Sequence, residues 1–270
     1  MGRWALWRNG GVTGEALPLT GERTVPGVEL EQYWFTRHEA VYRWLAGEVL
    51  PAVATGPLLD AGCGEGYGAD LLARQTSRPC VGLDLDRATI AHVGARYPAV
   101  HAVAGNLDVL PLRSQRFAGV VSLQVIEHLW NLAGFLRECR RVLIAGGLLA
   151  VSTPNRPVFS AGLGRGEKPT NPFHVEEFDA AQVAEMLRAA GFEDVQVLGL
   201  HHGPVIGDWE AAHGSIIDAH VEAVLGDVGW PPELLELLPR LTAADFAIGP
   251  AEGAGDLIGI GRCPSGGGGR

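Results

Sequence analysis

The sequence predicts an α/β protein built on a largely parallel sheet with helices on both faces. Three observations carry this. From Gly56 onward, short branched-apolar runs alternate with amphipathic stretches. Glycines crowd in directly after the first of these runs, in 58-LLDAGCGEGYG-68, and a carboxylate, Asp84, ends the second run, 20 residues beyond Gly64. A parallel sheet covered on both faces reads as near-continuous apolar strands, and strand–helix alternation is the pattern that builds one.

Taken in order, residues 28–50 (VELEQYWFTRHEAVYRWLAGEVL) carry apolar and aromatic residues at helical spacing, stopped by Pro51. A strand follows at Pro57–Asp60, a helix at Gly66–Gln75, a strand at Cys80–Asp84 and a helix at Arg87–Arg96. Strands at Val100–Ala104 and Phe117–Leu123, a helix at Leu132–Leu143 and a strand at Gly147–Ser152 continue the alternation. After a glycine-rich connection come a helix at Ala180–Ala190, closed by Gly191, and a strand at Val195–Leu200. The run Asp256–Ile260 is a further strand, reached only after residues 201–255, an insertion long enough to form a cap on the substrate side. Residues 1–20 and the tail 264–270 (PSGGGGR) have no sustained period and read as flexible ends of a single domain spanning 21–263.

Composition narrows the function. The 270 residues hold 21 Lys and Arg against 31 Asp and Glu, a net charge of -10, so a phosphate-backbone binder would work against its own field. Nucleic acid is not expected as a partner. Cys63, Cys80, Cys139 and Cys263 are scattered without zinc-type pairing and fit reduced, buried thiols. No run approaches the ~18 apolar residues of a membrane span, so a soluble, cytoplasmic protein is the expectation.

In the glycine loop, side-chain-free positions let the backbone approach a ligand, and the helix that follows offers unpaired amides. Asp84 ends the second strand where a carboxylate can accept from both ribose hydroxyls of a nucleoside. Residues 64–69, GEGYGA, formally satisfy the dinucleotide fingerprint. Asp60 before the turn and Glu65 within it would face a negative pyrophosphate, whereas a carboxylate at Asp60 suits an amino group or a positive charge. The balance favours S-adenosylmethionine over NAD.

Over residues 58–200 the chain resembles the class I S-adenosylmethionine-dependent methyltransferases. LLDAGCGEGYG is similar to their first motif, VGLDLD to the second, GNLDVLPL to the third, and SLQVIEHLWN with CRRVLIAGGLLAVSTPN to the fourth and fifth. The resemblance implies a Rossmann-like methyltransferase fold: a seven-stranded sheet of order 3-2-1-4-5-7-6 with strand 7 antiparallel. It also implies S-adenosyl-L-methionine as cofactor and S-adenosyl-L-homocysteine as product. Gly62, Cys63 and Gly64 would surround the amino-acid part with Asp60, Asp84 would take the ribose, and Leu85 the adenine. Asn106 and Leu107 would meet the adenine edge, and Gln124 the donor pocket. The helix 28–50, with Tyr33, Trp34 and Arg37, would form a lid in which Tyr33 contacts the cofactor; the same spacing suits a helix packed on the sheet edge with its aromatic residues in the core. GERTVPGVELEQYWFTRH, STPN, NPFH, LHHGP, HGSIIDAH and WPP resemble an actinobacterial group associated with methylated polysaccharides such as methylglucose lipopolysaccharide.

Attack by an alcohol on the sulfonium methyl needs alignment and removal of the hydroxyl proton. His128, just past the fourth strand, and His174, in NPFHVEEF, are both candidate bases, with pocket shaping and surface polarity as their respective alternatives. His202 is a third candidate, in a polar group with His201, His213 and Asp218 that suits a hydroxyl-rich acceptor. Glu127 reads as framework. Some relatives with Glu-x-x-Glu-His at this place hold a divalent metal, with a further histidine; here the first position is Gln124, a poor ligand for a hard cation, so no metal is expected, a site from Glu127, His128 and His174 being the alternative. The resulting expectation is an O-methyltransferase for a sugar hydroxyl of an oligosaccharide or related small metabolite. The alternatives are a quinone- or natural-product-type acceptor, or a noncatalytic cofactor-binding partner protein.

Overall fold

The computed structural model describes residues 23–225 and 229–265. The expected flexible ends lie outside the described residues, apart from Pro264 and Ser265. Contacts divide the chain into two compact units, residues 1–40 with 202–247, and residues 41–201 with 248–270.

The second unit holds most of a sheet. In chain order, the helix α1 (Gln32–Trp44) passes into a π-helical turn at Leu45–Val49 before β1 (Leu58–Ala61) and α2 (Tyr67–Thr76). There follow β2 (Cys80–Asp84), α3 (Arg87–Arg96), β3 (Val100–Ala104), β4 (Phe117–Leu123), α4 (Leu132–Val142) and β5 (Leu143–Pro154). A short α5 (Arg156–Phe159), α6 (Ala180–Ala189) and β6 (Glu193–His202) come next. The long insertion contributes α7 (Pro204–His213), α8 (Ile216–Leu225), α9 (Pro232–Leu237) and β7 (Phe246–Pro250), and β8 (Asp256–Arg262) returns to the sheet.

The order is β3-β2-β1-β4-β5-β8-β6-β7, eight strands. The expected seven-stranded order needs one correction: β7 adds an edge strand beyond β6. The run Asp256–Ile260 does lie between the fifth and sixth strands, as β8, antiparallel to both. The extra strand was hidden because FAIGP is five residues ending in proline, inside a segment read as insertion, and edge strands tolerate such residues. The central strands β1 and β4 are buried along their whole length and apolar but for Asp60 and Ser122. Leu59, Val120, Phe135 and Leu149 are fully buried in the core beneath them.

Side chains fix the helix starts that aim the loops. Asp86 caps α3 by accepting from Ala88 N at 3.0 Å, Asn131 caps α4, and Asp179 with Gln182 forms a capping box on α6. All four cysteines are free and buried. No helix among the described residues is long and apolar enough to cross a membrane.

Candidate active site

β1 ends against a loop whose glycines do what only glycine can. Gly62, Gly64 and Gly66 have φ of +83°, +52° and +100°, and a Cβ on Gly62 would sit 2.6 Å from Val125 Cγ2. Leu83 O accepts from Gly62 N and Cys63 N at 2.8 and 2.9 Å, which holds the turn onto β2. Asp84, at the end of β2, accepts from Gly64 N at 3.0 Å through Oδ2 and from Asp86 N at 3.0 Å through Oδ1. The parallel register sets Asp60 beside Gly82 and Val121, so Asp60, Asp84 and the β4 terminus share the carboxyl end of the sheet, where α/β proteins bind ligands.

Asp60 is fully buried, and the Tyr42 hydroxyl reaches both its oxygens at 3.1 Å. Burial raises its pKa to about 7; the Tyr42 hydrogen bond opposes the rise, and the Asp84 charge adds to it. Tyr42 had no signal in the sequence beyond helical spacing. The Cys63 thiol packs where a Cβ on Gly82 would lie 3.1 Å away, and burial pushes its pKa up, which leaves it unreactive. Leu85 is 70% exposed beside Asp84. Asn106 Oδ1 accepts from Asp108 N at 2.9 Å, an Asx turn next to half-buried Leu107. Gln124, in left-handed conformation, donates through Nε2 to Ser152 Oγ at 3.1 Å and so ties β4 to β5. One reading of the loop needs correction: the Glu65 carboxylate does not face the loop amides, being held by His92 and Tyr97 of the α3 region. Asp60 alone therefore carries the charge argument against a pyrophosphate.

Past β4, Glu127, His128 and His174 converge, each offering a ligand atom within 4.8 Å of the others. Val175 N donates to the Glu127 carbonyl at 2.7 Å, which draws the residue-174 segment onto this turn. Glu127 is 1% exposed, and its Oε2 has no hydrogen-bond partner; burial raises its pKa to about 7 against the lowering effect of His174. His128 Nδ1 lies 3.1 Å from Phe173 O. A carbonyl only accepts, so Nδ1 carries the proton and Nε2 the lone pair. Burial lowers the pKa of His128. His174 Nδ1 donates to Glu177 Oε1 at 2.7 Å, and its Nε2 is 3.0 Å from Asn171 Nδ2. The two imidazoles stand edge to face, centroids 5.0 Å apart.

Tyr33 and His202 meet in the other unit. The Tyr33 hydroxyl is 2.8 Å from His202 Nε2, and His202 Nδ1 is 2.9 Å from Glu210 Oε2. Tyr33 is fully buried there, with Trp34 and Phe246 around its ring. Of the residues expected to group with His202, His201 donates to Pro250 O and His213 to Trp209 O, so both of these rings serve backbone.

Residues 59–151 match a methyltransferase domain model. A probable S-adenosylmethionine-dependent methyltransferase of Mycolicibacterium smegmatis is 50% identical over 237 residues, covering 87% of this chain and 89% of that one. A ubiquinone biosynthesis O-methyltransferase of Azorhizobium caulinodans is 29% identical over 171 residues, covering 57% and 66%. Among solved structures, a possible histamine N-methyltransferase of Thermotoga maritima superposes with a TM-score of 0.56 at 18% identity, covering 87% and 95%, a likeness of fold. With half of the 237 aligned residues identical to a relative that the chain covers to 89%, the chain belongs to the S-adenosylmethionine-dependent methyltransferases.

Proposed function

We propose that the methyl acceptor is a hydroxyl of a small molecule, a sugar hydroxyl in the first place, and that His128 removes its proton. The observation that carries this reading is the neutral, Nδ1-protonated His128 beside Glu127 and His174, on the same sheet end as Asp60 and Asp84. In this reading Asp84 accepts from the ribose hydroxyls, Asp60 pairs with the cofactor's amino group, and the glycine loop lies against its amino-acid portion. The acceptor oxygen attacks the methyl carbon in line with the departing sulfur; the C–O bond forms as the C–S bond breaks. The hydroxyl proton passes to His128 Nε2, and S-adenosylhomocysteine leaves as a neutral thioether. His174 is held at both ring nitrogens and orients its neighbours rather than taking the proton.

The sugar class rests on the resemblance of the N-terminal and histidine-containing segments. A phenolic or quinol acceptor is the second reading, and the relationship to the ubiquinone biosynthesis O-methyltransferase supports it. A bound ion also has specific support: one carboxylate and two imidazoles, with an orphaned Glu127 oxygen, form a donor set suited to a zinc-like ion. Such an ion would polarise the acceptor hydroxyl. The test is transfer of labelled methyl to a panel of oligosaccharides, catechols and quinols, with wild type and His128→Ala, before and after chelation. On the base reading, sugars are labelled, chelation changes nothing, and His128→Ala slows turnover by about 10²-fold or more at unchanged cofactor affinity. Activity lost to chelator and restored by added ion would overturn the metal-free mechanism, and labelling of catechols alone would overturn the sugar assignment.

A further inference from the structure

Glu65 stands inside the glycine loop, yet it is 2% exposed. Its Oε1 lies 2.7 Å from His92 Nε2, and its Oε2 accepts from the Tyr97 hydroxyl at 2.6 Å. Arg96 Nε adds a longer contact at 3.4 Å. His92 is on α3, and Tyr97 is the residue that ends it. α3 begins directly after Asp86, whose N–H is bonded to the ribose carboxylate Asp84. The same helix closes on the loop from a second side: a Cβ on Gly66 would meet Val93 Cγ2 at 2.8 Å and Tyr97 Cδ2 at 3.0 Å. A loop needs no buried carboxylate to turn, and burying one is costly unless it is hydrogen-bonded. Here the carboxylate is met by the His92 and Tyr97 donors and, at longer range, by Arg96, all from α3 and its C-cap.

We propose that Glu65, His92 and Tyr97 form a latch that positions the glycine loop against the helix following Asp84, so that the amino-acid and ribose sites are set relative to each other before the cofactor arrives. The three are positioning residues and act through the Gly62–Gly66 backbone. The latch rests on the methyl-donor assignment. Its benefit is preorganisation, because a loop already held in its binding conformation loses less freedom when ligand binds.

Calorimetric titration with S-adenosylhomocysteine tests it on the full chain. Tyr97→Phe and His92→Leu are each expected to raise Kd about tenfold. His92→Gln, which keeps a donor toward Glu65, regains most of the loss. Glu65→Gln combined with Tyr97→Phe costs less than the product of the two singles, because both break one unit. In ligand-free protein the amides of Gly62 and Gly66 exchange faster in the variants, and bound S-adenosylhomocysteine removes the difference. The His92 side chain is 15% exposed, so the His92 pair tests the latch even where Glu65→Gln does not fold. Variants that bind as wild type does, or that lose thermal stability with Kd and loop exchange unchanged, overturn the latch and leave the donor assignment standing. A wild-type protein that does not bind S-adenosylhomocysteine overturns the donor assignment and the latch with it.

Discussion

Asp60 and Asp84 are two carboxylates on one sheet end with different environments. Asp84 is half-buried and already accepts two backbone N–H groups, so its orientation is set before ligand binds. On the proposed ribose assignment, replacing it with Ala removes charge-assisted bonds to the ligand and also frees Gly64 N; S-adenosylhomocysteine binding is expected to weaken by about 1.5–3 kcal/mol, read by calorimetric titration. Asp60 is fully buried with a pKa of about 7. A ligand ammonium pairs with the ionised form only, so Kd should tighten as pH rises from 6 to 8, approaching about tenfold per unit below 7. The slope should vanish in Asp60→Asn, and a flat profile in wild type would remove Asp60 from the amino-group site. Both carboxylates were legible in the sequence from their places at strand ends. Tyr42, 18 residues before Asp60, was not, because the helical pattern that predicts burial does not say which buried group a hydroxyl will meet.

Between elements, α2 packs on the C-terminal turn of α1 through Gly68. A Cβ there would lie 2.1 Å from Tyr42 Cζ, inside the ring that also holds Asp60. Gly68→Ala is therefore expected to cost about 1–3 kcal/mol by overpacking in urea unfolding, and to weaken cofactor binding as Tyr42 is pushed off Asp60; a stable variant with normal affinity would contradict this packing. Most strands and helices were readable because their apolar periods are strong. β5 extends back to Leu143, four residues before the expected start at Gly147, because its first residues follow α4 without a turn signal. β7 was missed for the related reason that five residues at a sheet edge leave little period to detect.

At the scale of the whole chain, stability should depend on pH through buried titratable groups in both units. His38 and His220 have pKa values lowered to about 3 and about 4, chiefly by burial. Their imidazoles are charged more readily in the unfolded chain, so they withdraw stability as pH falls below about 6.5. Glu31 and Asp60 are raised to about 7, again chiefly by burial; their contribution is present at low pH and lost as pH rises through 7. The Tm of ligand-free protein, followed by scanning calorimetry, is thus expected to peak near pH 6 and to fall by pH 8.5. S-adenosylhomocysteine should shrink the alkaline fall by pairing its ammonium with Asp60. A Tm rising steadily to pH 8.5 would contradict these burials. The sequence by itself determined the alternating architecture and the places of the glycine loop and of Asp84 at two strand ends, since these rest on local period and short spacing along one chain segment. Glu127, His128 and His174 could be named together from the resemblance, but only the tertiary structure sets their ligand atoms within 4.8 Å of one another across 46 positions of chain. It likewise joined Tyr33 to His202 across 169 positions and turned Glu65 onto α3. Such contacts are made when separate elements pack, and no local pattern of residues encodes which side chains that packing will bring together.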